Sequence, residues 1–213
     1  MIDLKQIEQL YSYSYLSYIA TYVGAIFVFW LFQDITEPQI LNVWFITFSV
    51  LTAARFIISW VFQKKVHADN IDIWLIFFIS LSLVSGTLWG VTGFIFIPDS
   101  VLSQLDSILY HGMLLLIIAV LVAGSLITYS TSRMVYLSFS VPAVVPQCLM
   151  LISMGDKYHS FLGGFMLAYA CTLFIISVYI HRMFTECNEI KSQNEFYKDI
   201  LDKNGITIEA ELQ

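Results

Sequence analysis

Arg55 has the strongest claim to chemistry in this sequence. It is a full charge set well inside an apolar run, LNVWFITFSVLTAARFIISWVF, residues 41–62. A charge in hydrocarbon is expensive and marks a functional candidate by default. Arg55 lies about two helical turns, near 10 Å, from the end of its run. An arginine side chain covers that distance by snorkelling to the interface. No Asp or Glu lies in any apolar run at a matching depth, so snorkelling is the first expectation. A bound ligand or a clamp of backbone carbonyls is the alternative.

The other groups with chemical potential are scattered. His67, His111, His159 and His181 stand at the ends of apolar runs, and no two share a run at helical spacing. Haem held in a bundle needs histidines at matching depth on facing helices. No cofactor and no metal are therefore expected. His111 and His159 fall near the same end, where interfacial histidines are expected and a shared metal or pH-sensitive site is the alternative. Cys148, Cys171 and Cys187 form no CxxC, and Cys148 and Cys171 lie in apolar runs as small hydrophobes.

Pro142 and Pro146 remove backbone donors within one run and predict a kink. The carbonyls they free are open to a polar ligand or to Ser138, Ser140 or Gln147. A kink that only shapes packing is the first expectation, and if a polar pocket exists its place is a kinked helix beside Gly124, Ser125, Thr128 and Ser130. Arg55, Trp89, Gly124, Thr128, Pro142 and Pro146 are the candidate ligand-binding residues. There is no GxSxG, P-loop, HExxH or paired intramembrane carboxylate. No catalytic residue is expected.

The elements that must position these groups are membrane spans. The chain of 213 residues is 58% hydrophobic and 12% charged, against roughly 25% charged in soluble domains. Its mean hydropathy is +0.76. Six apolar runs, each about long enough to cross a hydrocarbon core, are read at 11–32, 40–62, 74–97, 108–129, 135–154 and 161–180. The expected fold is all-α: a six-helix polytopic membrane domain over 1–182, then a cytoplasmic amphipathic or coiled-coil linker over 183–213. The third run is read as the central helix. Its stripe of Ser82, Gly86 and Gly90, with Gly93 a turn on, includes a GxxxG pair that lets a neighbour approach closely. On the first run Tyr11 and Tyr15 suit an aromatic belt. Tyr18 and Tyr22 lie deeper and should find hydroxyl partners inside the bundle.

Charge sets the orientation. Lys5, Lys64, Lys65, Arg133, Arg182 and Lys191 fall on one side of this topology and Lys157 on the other. The positive-inside rule then places both termini in the cytoplasm. The loops on the Lys157 side are short, so a cue must enter the bundle, reach its rim or be a property of the bilayer. The net charge of −6 argues against a nucleic-acid partner. The start, MIDLKQIEQL, lacks the pattern of a removed signal peptide.

The tail repeats in steps of four and three. Met183, Cys187, Ile190, Asn194, Tyr197, Leu201 and Asn204 trace a coiled-coil seam, with Glu186, Glu189, Lys191, Glu195, Lys198 and Asp202 off it. Asn194 is the kind of seam residue that fixes register in a two-stranded pair. The expected pair uses Ile190, Asn194, Tyr197 and Leu201 in a parallel homodimer. A helix lying on the membrane is the alternative. Asn204-Gly205 reads as a helix stop, before ITIEAEL.

Taken together, Trp44 with Arg55, Trp74, SGTLWG (85–90), LVAGS (121–125), PAVVP (142–146) and a polar final helix with Asn194 resemble a known arrangement. It is the six-helix N-terminal sensor region of bacterial signalling proteins. In that family the region precedes diguanylate cyclase (GGDEF), EAL or histidine kinase domains. The resemblance implies signal input and dimerisation in the bacterial inner membrane, and it carries over no catalytic residue. No GGDEF sequence, kinase H-box or nucleotide-binding motif occurs in these residues. The expected partners are the lipid bilayer, a second copy and a small ligand not named by the sequence. The alternative function is a small transporter or channel. Against it, one span carries prolines without a matching partner, and no acid lies at the midplane.

Overall fold

The structure is a computed structural model that describes residues 4–65, 71–97, 102–129 and 131–203. Among the described residues seven helices follow in order: α1 (Leu4–Phe32), α2 (Pro38–Lys65), α3 (Ile71–Gly90), α4 (Thr92–Phe96), α5 (Gln104–Thr128), α6 (Arg133–Ser153) and α7 (Lys157–Lys203). With α3 and α4 taken as one span, six helices are long and apolar enough to cross a membrane. The protein is an all-α, multi-pass membrane protein. Large apolar side chains such as Leu16, Trp30, Ile127 and Phe161 stand on the outside of the bundle. That is the surface hydrocarbon requires.

Local chemistry explains the helix ends. α2 opens on Pro38, whose missing N–H is harmless in a first turn. Ser103 caps α5, its Oγ accepting from the Asp106 N–H at 3.2 Å. Gly155, at φ +76°, turns the chain out of α6. Asp156 then caps α7, its Oδ1 accepting from the N–H groups of Tyr158 (2.9 Å) and His159 (3.1 Å).

The third span is broken at Val91, which the sequence reading did not anticipate. The break leaves carbonyls at the end of α3 without their usual donors. Side chains replace them. Trp44 Nε1 donates to Leu88 O at 2.9 Å, Thr92 Oγ1 to Trp89 O at 2.6 Å, and Gln147 Nε2 to Gly90 O at 3.1 Å.

The centre of the bundle is α6, which corrects the expectation that the third helix is central. α6 packs most heavily on α3 and α7 and is the most buried of the spans, whereas most of α3 faces outward. The small-residue stripe explains this exchange of roles. It lets α6 lie directly on the backbone of α3. A Cβ on Gly86 would meet the Phe139 carbonyl oxygen, one on Gly90 the Pro142 carbonyl oxygen, and one on Gly93 the Gln147 amide. Pro146 has no N–H to offer the Pro142 carbonyl. That oxygen instead faces the Cα of Gly90, a geometry that favours a weak Cα–H···O contact. α6 stays helical through both prolines.

α7 is a single helix of 47 residues, about 70 Å long. It passes through 182/183 without interruption, so the boundary read there is a change of surroundings within one element. Beyond the bundle Met183, Cys187, Ile190, Asn194 and Tyr197 are exposed and Leu201 is half-buried. Asn204, Gly205 and the ITIEAEL run lie outside the described residues, as do His67 and Ser130.

Candidate functional site

Four helices converge on Arg55. It projects from α2 into the bundle and is 3% exposed. Its Nη2 donates to Tyr129 Oη, just past the end of α5, at 2.9 Å and to Ser82 Oγ on α3 at 3.3 Å. Its Cζ lies 4.4 Å from the centre of the Tyr18 ring on α1 and 5.9 Å from that of Phe78 on α3. The expectation of snorkelling is thereby overturned. The guanidinium is turned inward, onto hydroxyls and ring faces of neighbouring helices, and away from the interface. The helix end is left to Lys64, whose Nζ sits 3.7 Å over the Trp60 ring.

The surrounding shell is built from aromatic residues and small hydroxyls. Tyr18 Oη and Ser59 Oγ are 3.1 Å apart, and Ser17 Oγ and Tyr129 Oη 3.0 Å. Tyr11 stacks on Phe62 at 3.9 Å and donates to Trp74 O at 2.9 Å, closing the shell toward the helix ends. Among the described residues no carboxylate forms an ion pair with Arg55. A buried cation held only by neutral hydroxyls and ring faces is electrostatically incomplete. It is the strongest attractor for an anion inside the bundle.

The six candidate ligand-binding residues do not form one pocket. Arg55 occupies the site above. Gly124 and Thr128 line a groove of about 550 Å³ on the outside of the bundle between α1 and α5, with Leu16, Ser17, Thr21 and Gly24 opposite. Pro142 and Pro146 are spent in the α3–α6 contact, where their rings cover Gly86 and Gly90. Trp89 is fully buried in an aromatic core, edge-on to Trp44 (5.7 Å) and Phe48 (5.5 Å). Prolines that pack against glycines are not available to a ligand, and this divides the candidate pocket in two. Ser138 and Ser140 bond within α6, to Val135 O and Tyr136 O. Gln147 reaches across to α3.

Ser17, Ser59 and Tyr129 were not singled out as site residues by the sequence reading, and Ser82 was read only as part of the packing stripe. For two of them a signal existed: Ser17 and Ser82 lie about as deep in their spans as Arg55 does in its own, whereas Ser59 stands near the end of its run and Tyr129 closes its span.

At the opposite end of the bundle His111 and His159 meet, their ring centres 5.1 Å apart. Both are packed against protein at the span ends where the sequence placed them. Ser107 joins them: its Oγ is 3.2 Å from His159 Nε2 and 3.4 Å from His111 Nδ1. His159 Nδ1 is bonded to Asp156 Oδ2. The His159 N–H against its carboxylate holds Asp156 below the usual carboxylate range. Both nitrogens of His159 are thus committed to protein partners, which suits a hydrogen-bonded histidine better than a metal ligand. Among the described residues no group of three His, Cys, Asp or Glu side chains is placed to hold a metal.

No family model matches the chain, and neither a characterised protein nor a solved structure matches it significantly.

Proposed function

We propose that this chain is a signal-input module of a bacterial inner membrane, with both termini cytoplasmic, that passes a cue through its last helix to a cytoplasmic output. The observation that carries this reading is α7. One uninterrupted helix leads from the Asp156 cap, beside the His111–His159 pair, down the bundle against α6 and on to Lys203. A rigid element with one end in the membrane domain and the other in water transmits a shift or rotation of an ångström or two along its whole length. The apolar seam residues exposed beyond the bundle supply a surface for a second copy. The output is of the diguanylate cyclase or histidine kinase class that the resemblance implies.

The phase of α7 tests this. An output domain that requires dimers is fused after Lys203, and residues are inserted after Arg182. A whole heptad, about two turns, restores the seam to its original face, and two residues, about 200° of rotation, carry it to the opposite one. Activity retained with the first insertion and lost or inverted with the second is the expected result. Equal activity in both removes the helical relay.

A further inference from the structure

The hydroxyls around Arg55 have a direction. Arg55 has no acceptor atom, so it donates to Tyr129 Oη. Tyr129 is buried, and among the described residues the acceptor for its own proton is Ser17 Oγ at 3.0 Å. Ser17 is then left with its proton to give. Ser17 lines the groove between α1 and α5. The other groove hydroxyls are turned to their own helices: Thr21 to Ser17 O, Ser125 to Val122 O, Thr128 to Gly124 O. The donor strength of a buried cation is therefore relayed to one point on an otherwise apolar wall.

We propose that this groove binds a long-chain carboxylic acid, its carboxylate accepting from Ser17 at the end of the Arg55–Tyr129–Ser17 chain and its tail lying along Gly24 and Gly124. The groove runs from Leu16 to Phe27 on α1, about 16 Å at the helical rise, and takes most of an extended acyl tail. A Cβ on Gly124 would meet nothing within 4 Å, so the channel is open there. Arg55, without a carboxylate of its own, supplies the complementary charge. A phospholipid fits less well. Tyr11, which reaches the first turn of α3, marks the helix ends, and Ser17 lies about 9 Å deeper. A headgroup phosphate held at the interface does not reach it, whereas a single-chain acid can sink to that depth. This inference rests on the signalling reading only in making the acid the cue. The site itself stands or falls by binding.

The test uses the purified full chain in detergent and a palmitate bearing a diazirine in its tail, with labelled peptides mapped by mass spectrometry. Labelling is expected on α1 and α5 along the groove. Unlabelled palmitate should compete, and cetyl alcohol, with the same tail and no charge, should compete about tenfold less well, the difference a charge-assisted hydrogen bond makes. Gly124→Leu, whose Cβ meets nothing within 4 Å and whose longer side chain is meant to fill the channel, should abolish labelling. Ser17→Ala should weaken palmitate about tenfold and leave cetyl alcohol unchanged. Thermal melts of both variants establish that they fold. Competition by phosphatidylglycerol equal to that of palmitate overturns the proposal in favour of an ordinary bilayer lipid. Equal competition by cetyl alcohol, label outside the groove, or wild-type binding in both variants also overturns it. Palmitate binding with no effect on a fused output would leave the site and remove the acid as the cue, while the phase test of α7 decides the signalling reading. A working phase response in α7 without palmitate binding would leave the signalling reading and remove the site.

Discussion

The position a Cβ would take on Gly90 of α3 is already occupied by the carbonyl oxygen of Pro142 on α6. Neither atom can give way, because one belongs to a helix backbone and the other is flanked by the Pro146 ring. Gly90→Ala should destabilise the protein by about 1–3 kcal/mol, and Gly90→Leu by more, since overpacking a tight contact forces the helices apart. Gly124→Ala, at an open position, should be nearly neutral. Thermal unfolding in detergent checks all three. Equal stability of Gly90→Leu and the parent would place the stripe against lipid instead.

How much of this was legible in the sequence depends on what each feature required. The six spans were legible because length and hydropathy alone define a crossing, and Arg55 stood out because nothing else in the runs is charged. The partner of the glycine stripe was not legible. A GxxxG face declares that something comes close, but Phe139, Pro142 and Pro146 lie some fifty residues away and read as a kink. Arg55 was assigned the wrong state for a similar reason. Its partners Tyr18, Ser82 and Tyr129 sit on three other elements, and no local spacing relates them. The break at Val91 was hidden inside a continuous apolar run whose only hint was the pair of glycines around it.

Arg55 should matter more to function than to folding. Replacing a buried charge that has no counter-ion by an apolar side chain of similar length often leaves a protein as stable or more so. Arg55→Met is expected to melt at or above the parent temperature while losing the carboxylic-acid response. Tyr129→Phe does the opposite to the cation. It removes an acceptor and leaves a buried guanidinium donor unsatisfied, a loss of about 1–3 kcal/mol. The two melting curves, compared in one detergent, decide the matter; a large loss in Arg55→Met would make the residue structural.

Gln147 joins α6 to the broken third span. Its Nε2 lies 3.2 Å from Trp89 O, 3.1 Å from Gly90 O and 3.0 Å from Thr92 Oγ1. Gln147→Leu keeps the volume and removes the donor, so buried carbonyls at the end of α3 lose a partner, at about 1–3 kcal/mol. Hydrogen exchange should show the amides around Val91 opening first. Unchanged protection there would mean that Thr92 and Trp44 hold the break without it.

The Asp156 cap gives α7 an acid limit. Its carboxylate is held below its ordinary range, chiefly by the His159 N–H, then by the His159 ring and the Tyr158 N–H. A group whose pKa is lower in the folded state stabilises it above the unfolded value, near 3.8, and loses that contribution as pH falls through the folded value. The parent should lose stability below about pH 4, and Asp156→Asn should show less of this acid-dependent loss. Melting temperatures across acid pH measure the difference. Parallel curves for the two proteins would assign the acid limit to another group.

The last prediction concerns the exposed end of α7. Ile190 and Tyr197 are 59% and 61% exposed, and with Asn194 between them they fall on one face in steps of four and three. Apolar side chains on a helix standing clear of its bundle need a cover, and a second copy in parallel register brings each onto its mate. Asn194 then faces Asn194 across the two-fold axis, which fixes register and weakens the pair relative to an all-leucine seam. A weak pair is one that a coupling of about 1–3 kcal/mol can open or rotate. Asn194→Cys should therefore crosslink between chains in membranes, and Glu189→Cys, off the seam, far less. Asn194→Leu should strengthen the pair and lock the output in one state. Equal crosslinking at 194 and 189, or none at either, would return α7 beyond Arg182 to the alternative of a helix resting on the membrane surface.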